Sequence, residues 1–233
     1  MAYSDFTLEK VSAVLGITTQ EADLFPKLVP LSIPSWLNET LGKRTQLALI
    51  SEKARSEFII VPILLACRDL SQNSLAIFSG QRLDVDPAQG LIGECDFILA
   101  MAPPLPPLRS PIITVVEAKK NDVEAGLGQC IAQMVAADLF NRSSGQAEIP
   151  VYGCVTTGEV WQFLQLSQKV ALLDKQRYYL DNVGSILAIV QTIVQQFSRH
   201  LQKRKKTPLP FLSPKRREAL KPPNASREGG KGG

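Results

Sequence analysis

The sequence predicts an α/β fold, a mixed central sheet flanked by helices, and three observations carry that prediction. A helical pattern over residues 44 to 70 is followed by three strand-like runs, LAIFSGQRLDV, GECDFILAM and IITVVEAKK. A second helical segment, from Asp122 to about Phe140, leads into another strand, VYGCVTT. The order helix, three strands, helix, strand calls for a sheet covered by helices, because each element has one apolar side to bury.

Taken in order, residues 1 to 44 read as short helices. FTLEKVSAVLG is the first, and Thr18 with Glu21 has capping-box spacing for the next. In RTQLALISEKARSEFIIVPILLACRDL, Pro62 should kink the helix or mark a restart, because proline removes a helix hydrogen bond. The two central strands are joined by APPLPPLRSP, whose prolines cannot sit in a central strand. VWQFLQL, KVALLD and YYL follow as short strands. Trp161 and Phe163 are two apart, so they share one strand face and read as packing residues. VGSILAIVQTIVQQFSRHL closes the domain as a C-terminal helix, with Ile186, Val190, Ile193 and Phe197 at helical spacing. Three segments result: an N-terminal helical extension over 1–44, a domain over 45–202, and a basic tail over 203–233. The tail is rich in Pro and Gly with little to bury, and it is expected to be disordered.

A chain of 233 residues is long enough for one well-buried domain. No apolar run reaches membrane-spanning length, since Gln191 and Gln195 break the longest candidate. MAYSDFTLEK has no basic region followed by an apolar core, so it does not read as a secretory signal. A soluble, cytoplasmic protein is the expectation. Cys67, Cys95, Cys130 and Cys154 form no CxxC pair, which argues against a zinc ribbon and for small buried hydrophobes in a reducing compartment. The single histidine, His200, stands at the start of the basic tail. Serine hydrolases of the Ser-His-Asp kind, HExxH proteases and His-metal nucleases need a histidine inside the folded core, and they are excluded on this ground.

IITVVEAKKND poses the functional question, because a buried strand ends in a carboxylate and an ammonium two positions apart. A hairpin centred between Pro106 and Pro107 pairs residues whose numbers sum to 213 and sets Asp96 opposite Glu117. Directly opposite side chains share a face, and Lys119 shares it too. A slip of one residue would spoil that register. Aspartate is a poor strand former, so Asp96 within ECDFILA needs a reason to be there. Partnership with Arg55 or Arg109 is one, and a shared site with Glu117 is another. Two carboxylates about 5 Å apart repel by roughly 3 kcal/mol at an effective dielectric of 20. Lys119 would offset part of that, and Mg²⁺ or Mn²⁺ would offset more, since both take carboxylate oxygens and substrate phosphates.

Asp96 followed some twenty positions later by Glu117-Ala118-Lys119 resembles the PD-(D/E)xK nuclease superfamily, the restriction endonuclease-like fold. The resemblance spans roughly residues 45 to 165 and implies an αβββαβ core in the order read above. It implies Asp96, Glu117 and Lys119 as catalytic residues, with Asp96 and Glu117 as ligands to Mg²⁺ or Mn²⁺. A glutamate on the preceding helix is expected as a further ligand, direct or through water. Glu57 in ARSEF matches it, with Glu52 as a competitor. A glutamine on the following helix is expected to position backbone phosphate, and GLGQCIAQM offers Gln129 and Gln133 on one face. Gly126 and Gly128 either permit close backbone approach or mark a frayed helix start, and their GxG lacks the third glycine of a phosphate cradle. The residue before Asp96 is Cys95 where the family motif has proline, a departure that removes no ligand.

The charge is unevenly shared. The chain carries +4 overall, but residues 203–233 hold ten Lys or Arg against Glu218 and Glu228, which leaves the rest mildly acidic. Lys203, Arg204, Lys205 and Lys206, followed by KRR at 215 to 217, would neutralise phosphates and release counterions, or would simply solubilise. The expected function is a metal-dependent endonuclease hydrolysing phosphodiester bonds, with DNA the first substrate named and a homodimer left open. The alternatives are a catalytically silent module for binding nucleic acid or protein, and a structural ion-pair cluster.

Overall fold

The computed structural model describes residues 1–146 and 149–206, the last five of these as backbone. A seven-stranded mixed sheet runs through it, flanked by helices on both faces, with strand order β1-β7-β6-β5-β4-β3-β2. The strands are β1 (Thr18–Ala22), β2 (Ala76–Arg82), β3 (Glu94–Ala100), β4 (Ile112–Ala118), β5 (Val151–Thr156), β6 (Val160–Ser167) and β7 (Val170–Tyr179). The helices are α1 (Leu8–Leu15), α2 (Ser35–Gly42), α3 (Glu52–Arg55), α4 (Val61–Leu70), α5 (Leu127–Ser143) and α6 (Val183–Lys206). No helix among the described residues is long and apolar enough to cross a membrane.

Strand β4 is an interior strand of the sheet, between β5 and β3, and is buried along its whole length. That is why IITVVEA reads as an unbroken apolar run rather than an alternating one. It pairs antiparallel with β3 and parallel with β5, and α5 makes the crossover between the two parallel strands. Each sheet face has its own core. Ile63, Leu64, Trp161, Phe163, Ile193 and Phe197 fill the α4/α6 side. Val11, Val115, Cys130, Ile131, Met134 and Leu164 fill the α1/α5 side. All four cysteines are buried and free. At the start of β4, buried Asn141 of α5 accepts from Ile112 N (2.8 Å) and donates to Ile112 O (2.7 Å). Helix α5 is thereby pinned to the strand it follows.

The β3–β4 register has Phe97 opposite Val116, Ile98 opposite Val115 and Leu99 opposite Thr114. These are pairs summing to 213, and the register shifts only at the bulge beside Ala100. Continued by one pair, it sets Asp96 across from Glu117.

Three expectations are corrected. Residues 1–44 are not wholly helical: Thr18 and Glu21 belong to edge strand β1, parallel to β7, rather than to a capping box. Strand neighbours decide this where local spacing suggested a helix, because β-branched Thr18 and Thr19 suit a pleated edge. The N-terminal segment is thus part of the sheet. Pro62, by contrast, marks a restart as expected, standing in the first turn of α4, which begins at Val61. A π-helical turn over Ser56–Ile60 joins α3 to α4, widening the helix next to the proline that would otherwise crowd the preceding carbonyls. KVALLD and YYL are one strand, β7, interrupted by a register shift opposite Gln162 and Leu164. At the C-terminus, the backbone of Lys203, Arg204, Lys205 and Lys206 continues α6, so the helix enters the segment expected as tail. The remainder of that segment, 207–233, lies outside the described residues.

Candidate active site

The site forms where β3 begins, beside the end of antiparallel β4, as the chain turns towards α5. Beyond the last paired residues, Phe97 and Val116, the side chain of Asp96 takes over: its Oδ2 accepts from Ala118 N at 2.7 Å. Glu117 is only 3% exposed, and both of its oxygens are engaged. Lys119 Nζ donates to Oε1 (2.9 Å), and Gln133 Nε2 donates to Oε2 (2.8 Å). Lys119 also donates to Gln129 Oε1 at 3.0 Å. Four residues apart on α5, Gln129 and Gln133 sit on one helix face, so one grips the ammonium and the other the carboxylate.

The backbone around Lys119 is equally constrained. Its N–H donates to Thr156 O (2.8 Å) at the end of β5. A Cβ on Gly126 would stand 2.6 Å from Val155 Cγ1 and 3.1 Å from Lys119 Cγ and Cε. One on Gly128 would collide with the backbone of Phe6 and Thr7 at 2.5 Å. Both glycines therefore permit close approach, the first beneath the Lys119 stem and the second against the segment leading into α1.

On the other side of the site, Ser51 caps α3 by accepting from Ala54 N at 3.0 Å. Arg55 fastens that helix to the strand ends, donating through Nε to Leu49 O (3.2 Å) and through Nη1 to Thr157 O (3.1 Å). Arg55 is thus occupied by backbone carbonyls and not by Asp96. Of the two candidate glutamates, Glu52 is the one whose charge acts on Asp96 and Lys119. Glu57 is half-exposed and lies 3.9 Å from Lys53. A π turn begins at Ser56, directly before Glu57.

Electrostatics follow from this crowding. Burial raises the Glu117 pKa to about 7, with the charge of Asp96 adding to the rise and Lys119 and Gln133 opposing it. Burial also raises Asp96, against the Ala118 N–H and with help from the charge of Glu52. Burial lowers Lys119, but the charge and hydrogen bond of Glu117 outweigh it, so the ammonium is held protonated more firmly than usual. Lys119 is therefore a donor here and not a base.

The donor set is oxygen-rich. Asp96 and Glu117 are adjacent carboxylates whose mutual repulsion a divalent cation would relieve, and Mg²⁺ commonly binds through one or two carboxylates plus substrate phosphate. Among the described residues, no group of three or more His, Cys, Asp or Glu side chains is arranged to hold a metal. A cation held here would have two carboxylates from the protein and would need water or phosphate for the rest of its shell. The buried Gln133 Oε1 has no hydrogen-bond partner, which leaves one acceptor beside Glu117 unused.

Sequence reasoning placed Asp96, Glu117, Lys119, Gln129 and Gln133 on candidate roles, and the structure brings all five together. For Glu57 the contact found is the exposed ion pair with Lys53 rather than one with this cluster. The glutamines contact Lys119 and Glu117 directly, whereas the expectation gave them phosphate. Lys203, Arg204, Lys205 and Lys206 are described as backbone only. What sequence reading underweighted was Glu52, whose signal was Ser51 directly before it as a helix N-cap. No family model matches the chain, and no curated protein matches it either.

Proposed function

We propose that this protein is a metal-dependent nuclease built on a restriction endonuclease-like core, hydrolysing phosphodiester bonds in nucleic acid, with DNA as the first candidate substrate. The observation that carries the reading is the convergence of Asp96, Glu117 and Lys119, with Gln129 and Gln133 fixing the last two. Buried carboxylates shifted by desolvation and by a charged neighbour are a feature that functional sites share. The element order α4-β2-β3-β4-α5-β5 supports the same core.

Asp96 and Glu117 would hold Mg²⁺ or Mn²⁺, which supplies Lewis-acid polarisation of the phosphate and lowers the pKa of a bound water. Gln133 keeps the Glu117 carboxylate in one orientation. Lys119 remains a cation and donates towards the negative charge that develops on the phosphate oxygens. Because an ammonium has three donors, Lys119 can keep Gln129 while it engages the phosphate. Glu52 contributes negative charge at the edge of the site and competes for the role of a further ligand through water.

The test is cleavage of plasmid, single-stranded DNA and RNA with Mg²⁺ or Mn²⁺, wild type beside Lys119→Ala. Cleavage lost in a folded mutant supports the reading, and absence of cleavage in wild type under all conditions overturns it. One observation favours a second reading, a catalytically silent nucleic-acid-binding module. Both Glu117 oxygens are already engaged, and only two carboxylates meet at the cluster. A divalent-metal titration separates the two, since the enzyme should lose metal binding on Glu117→Ala and a silent module has none to lose.

A further inference from the structure

The sheet carries a second polar group on the same face as Glu117. Directly paired residues run in one transverse row: Glu117 on β4, Val155 on β5, Gln162 on β6 and Arg177 on β7. Residues directly opposite one another share a face, so Arg177 stands on the Glu117 face, three strand intervals away. At about 4.8 Å per strand that is roughly 14 Å. Val155 between them is covered by Gly126, which leaves two polar clusters at the same end of one sheet.

The guanidinium is positioned by a chain of hydrogen bonds that starts in a bulge. The β6–β7 register shifts between Gln162 and Leu164, and the displaced Asp174 turns its carbonyl to accept from Gln162 Nε2 at 2.5 Å. That donation orients the buried Gln162 amide, so its Oε1 faces Arg177 and accepts from Nε at 3.1 Å. The Asp174 carboxylate is occupied by Gln176 N and Tyr178 Oη. On its outer edge, Arg177 Nη2 meets Glu124 Oε1 at 2.7 Å, with both side chains substantially exposed. Arg177, Lys175 and Glu124 line a cavity of about 290 Å³ whose wall also includes Glu21 and Asp174, the latter with its carboxylate already occupied as above.

An arginine fixed at Nε by a buried amide, with its outward edge against a solvent-exposed carboxylate, is prepared for an oxyanion. Guanidinium matches phosphate in two-point geometry, and an exposed ion pair is easily exchanged. We propose that Arg177, positioned by Gln162, binds a backbone phosphate of the nucleic-acid strand on which the Asp96–Glu117–Lys119 cluster acts, displacing Glu124. This rests on the nuclease reading. At roughly 14 Å from the Glu117 position of the row, the contact falls away from the scissile linkage. Its contribution is to affinity and strand placement rather than to chemistry. Glu124 is the resident competitor.

The experiment measures binding of a short labelled duplex, its single strand and an RNA of the same sequence, in Mg²⁺ across a salt series. Every protein carries Lys119→Ala to prevent cleavage. Arg177→Gln is expected to weaken binding about tenfold at low salt and to reduce the salt slope by about 1, as for one lost phosphate contact. Arg177→Lys should keep the slope and lose part of the affinity. Glu124→Gln alters only an exposed side chain and should tighten binding several-fold, so the test stands even where Arg177→Gln folds poorly. Unchanged affinity and slope in folded Arg177→Gln, or weaker binding in Glu124→Gln, overturns the subsite. Cleavage by otherwise wild-type protein would survive either result. A parent that binds none of the three nucleic acids overturns the subsite, and the cleavage assay then decides the nuclease reading separately.

Discussion

Gln133 donates to Glu117 Oε2 at 2.8 Å from a position with no solvent exposure. The bond links the middle of α5 to the end of β4 and satisfies an oxygen of a carboxylate that is only 3% exposed.

Replacing Gln133 by Leu keeps the side chain's approximate size but leaves that oxygen without its donor. A buried group stripped of its partner costs about 1–3 kcal/mol. Urea denaturation of the metal-free protein should show a loss of that order. A variant as stable as wild type would mean that the bond contributes nothing net.

The metal-free protein should lose stability as pH rises through neutrality. Glu117 titrates near 4.5 when unfolded and about 7 when folded, so the fold favours its protonated form. The contribution is complete below the unfolded value and disappears as pH passes the folded one. Asp96, also raised, acts in the same direction. The melting temperature should therefore fall by several degrees between pH 5 and 8. Glu117→Gln should flatten the profile. A divalent cation should stabilise more at pH 8 than at pH 5, because the carboxylates must be deprotonated to hold it. A metal-free profile that rises over this window would contradict the assignment.

Glu52→Gln should weaken Mn²⁺ binding several-fold by calorimetry, because it removes a charge that acts on both Asp96 and Lys119. Glu57→Gln should leave affinity unchanged and shift stability by no more than about 0.5 kcal/mol, as an exposed substitution beside Lys53. A larger effect from Glu57 than from Glu52 would reverse the assignment.

Gly126→Ala should cost about 1–3 kcal/mol through overpacking against Val155 and the Lys119 stem. Cleavage should fall further than stability does, since displaced Lys119 loses its place between Glu117 and Gln129. A folded variant with full cleavage would show that the site tolerates the shift.

Much of the candidate site was legible in the sequence. Period-two alternation and the proline-rich connection specify which face Asp96 and Glu117 occupy, and helical spacing places Gln129 and Gln133 together. These are short-range regularities that neighbouring residues impose on one another. What each glutamine touches was not legible, because one helix face says nothing of which strand end lies beneath it.

By itself, then, the sequence determined the α/β class and the identity of the charged residues, both set by local periodicity, while the hairpin register followed from an assumed centre that strand pairing then matched. Tertiary structure decided the rest. It made Thr18 part of an edge strand, favoured Glu52 over Glu57, and aligned Arg177 with Glu117 across four strands. Each of those outcomes depends on pairing or proximity between segments distant in the chain. Neither leaves a periodic trace for the sequence to display.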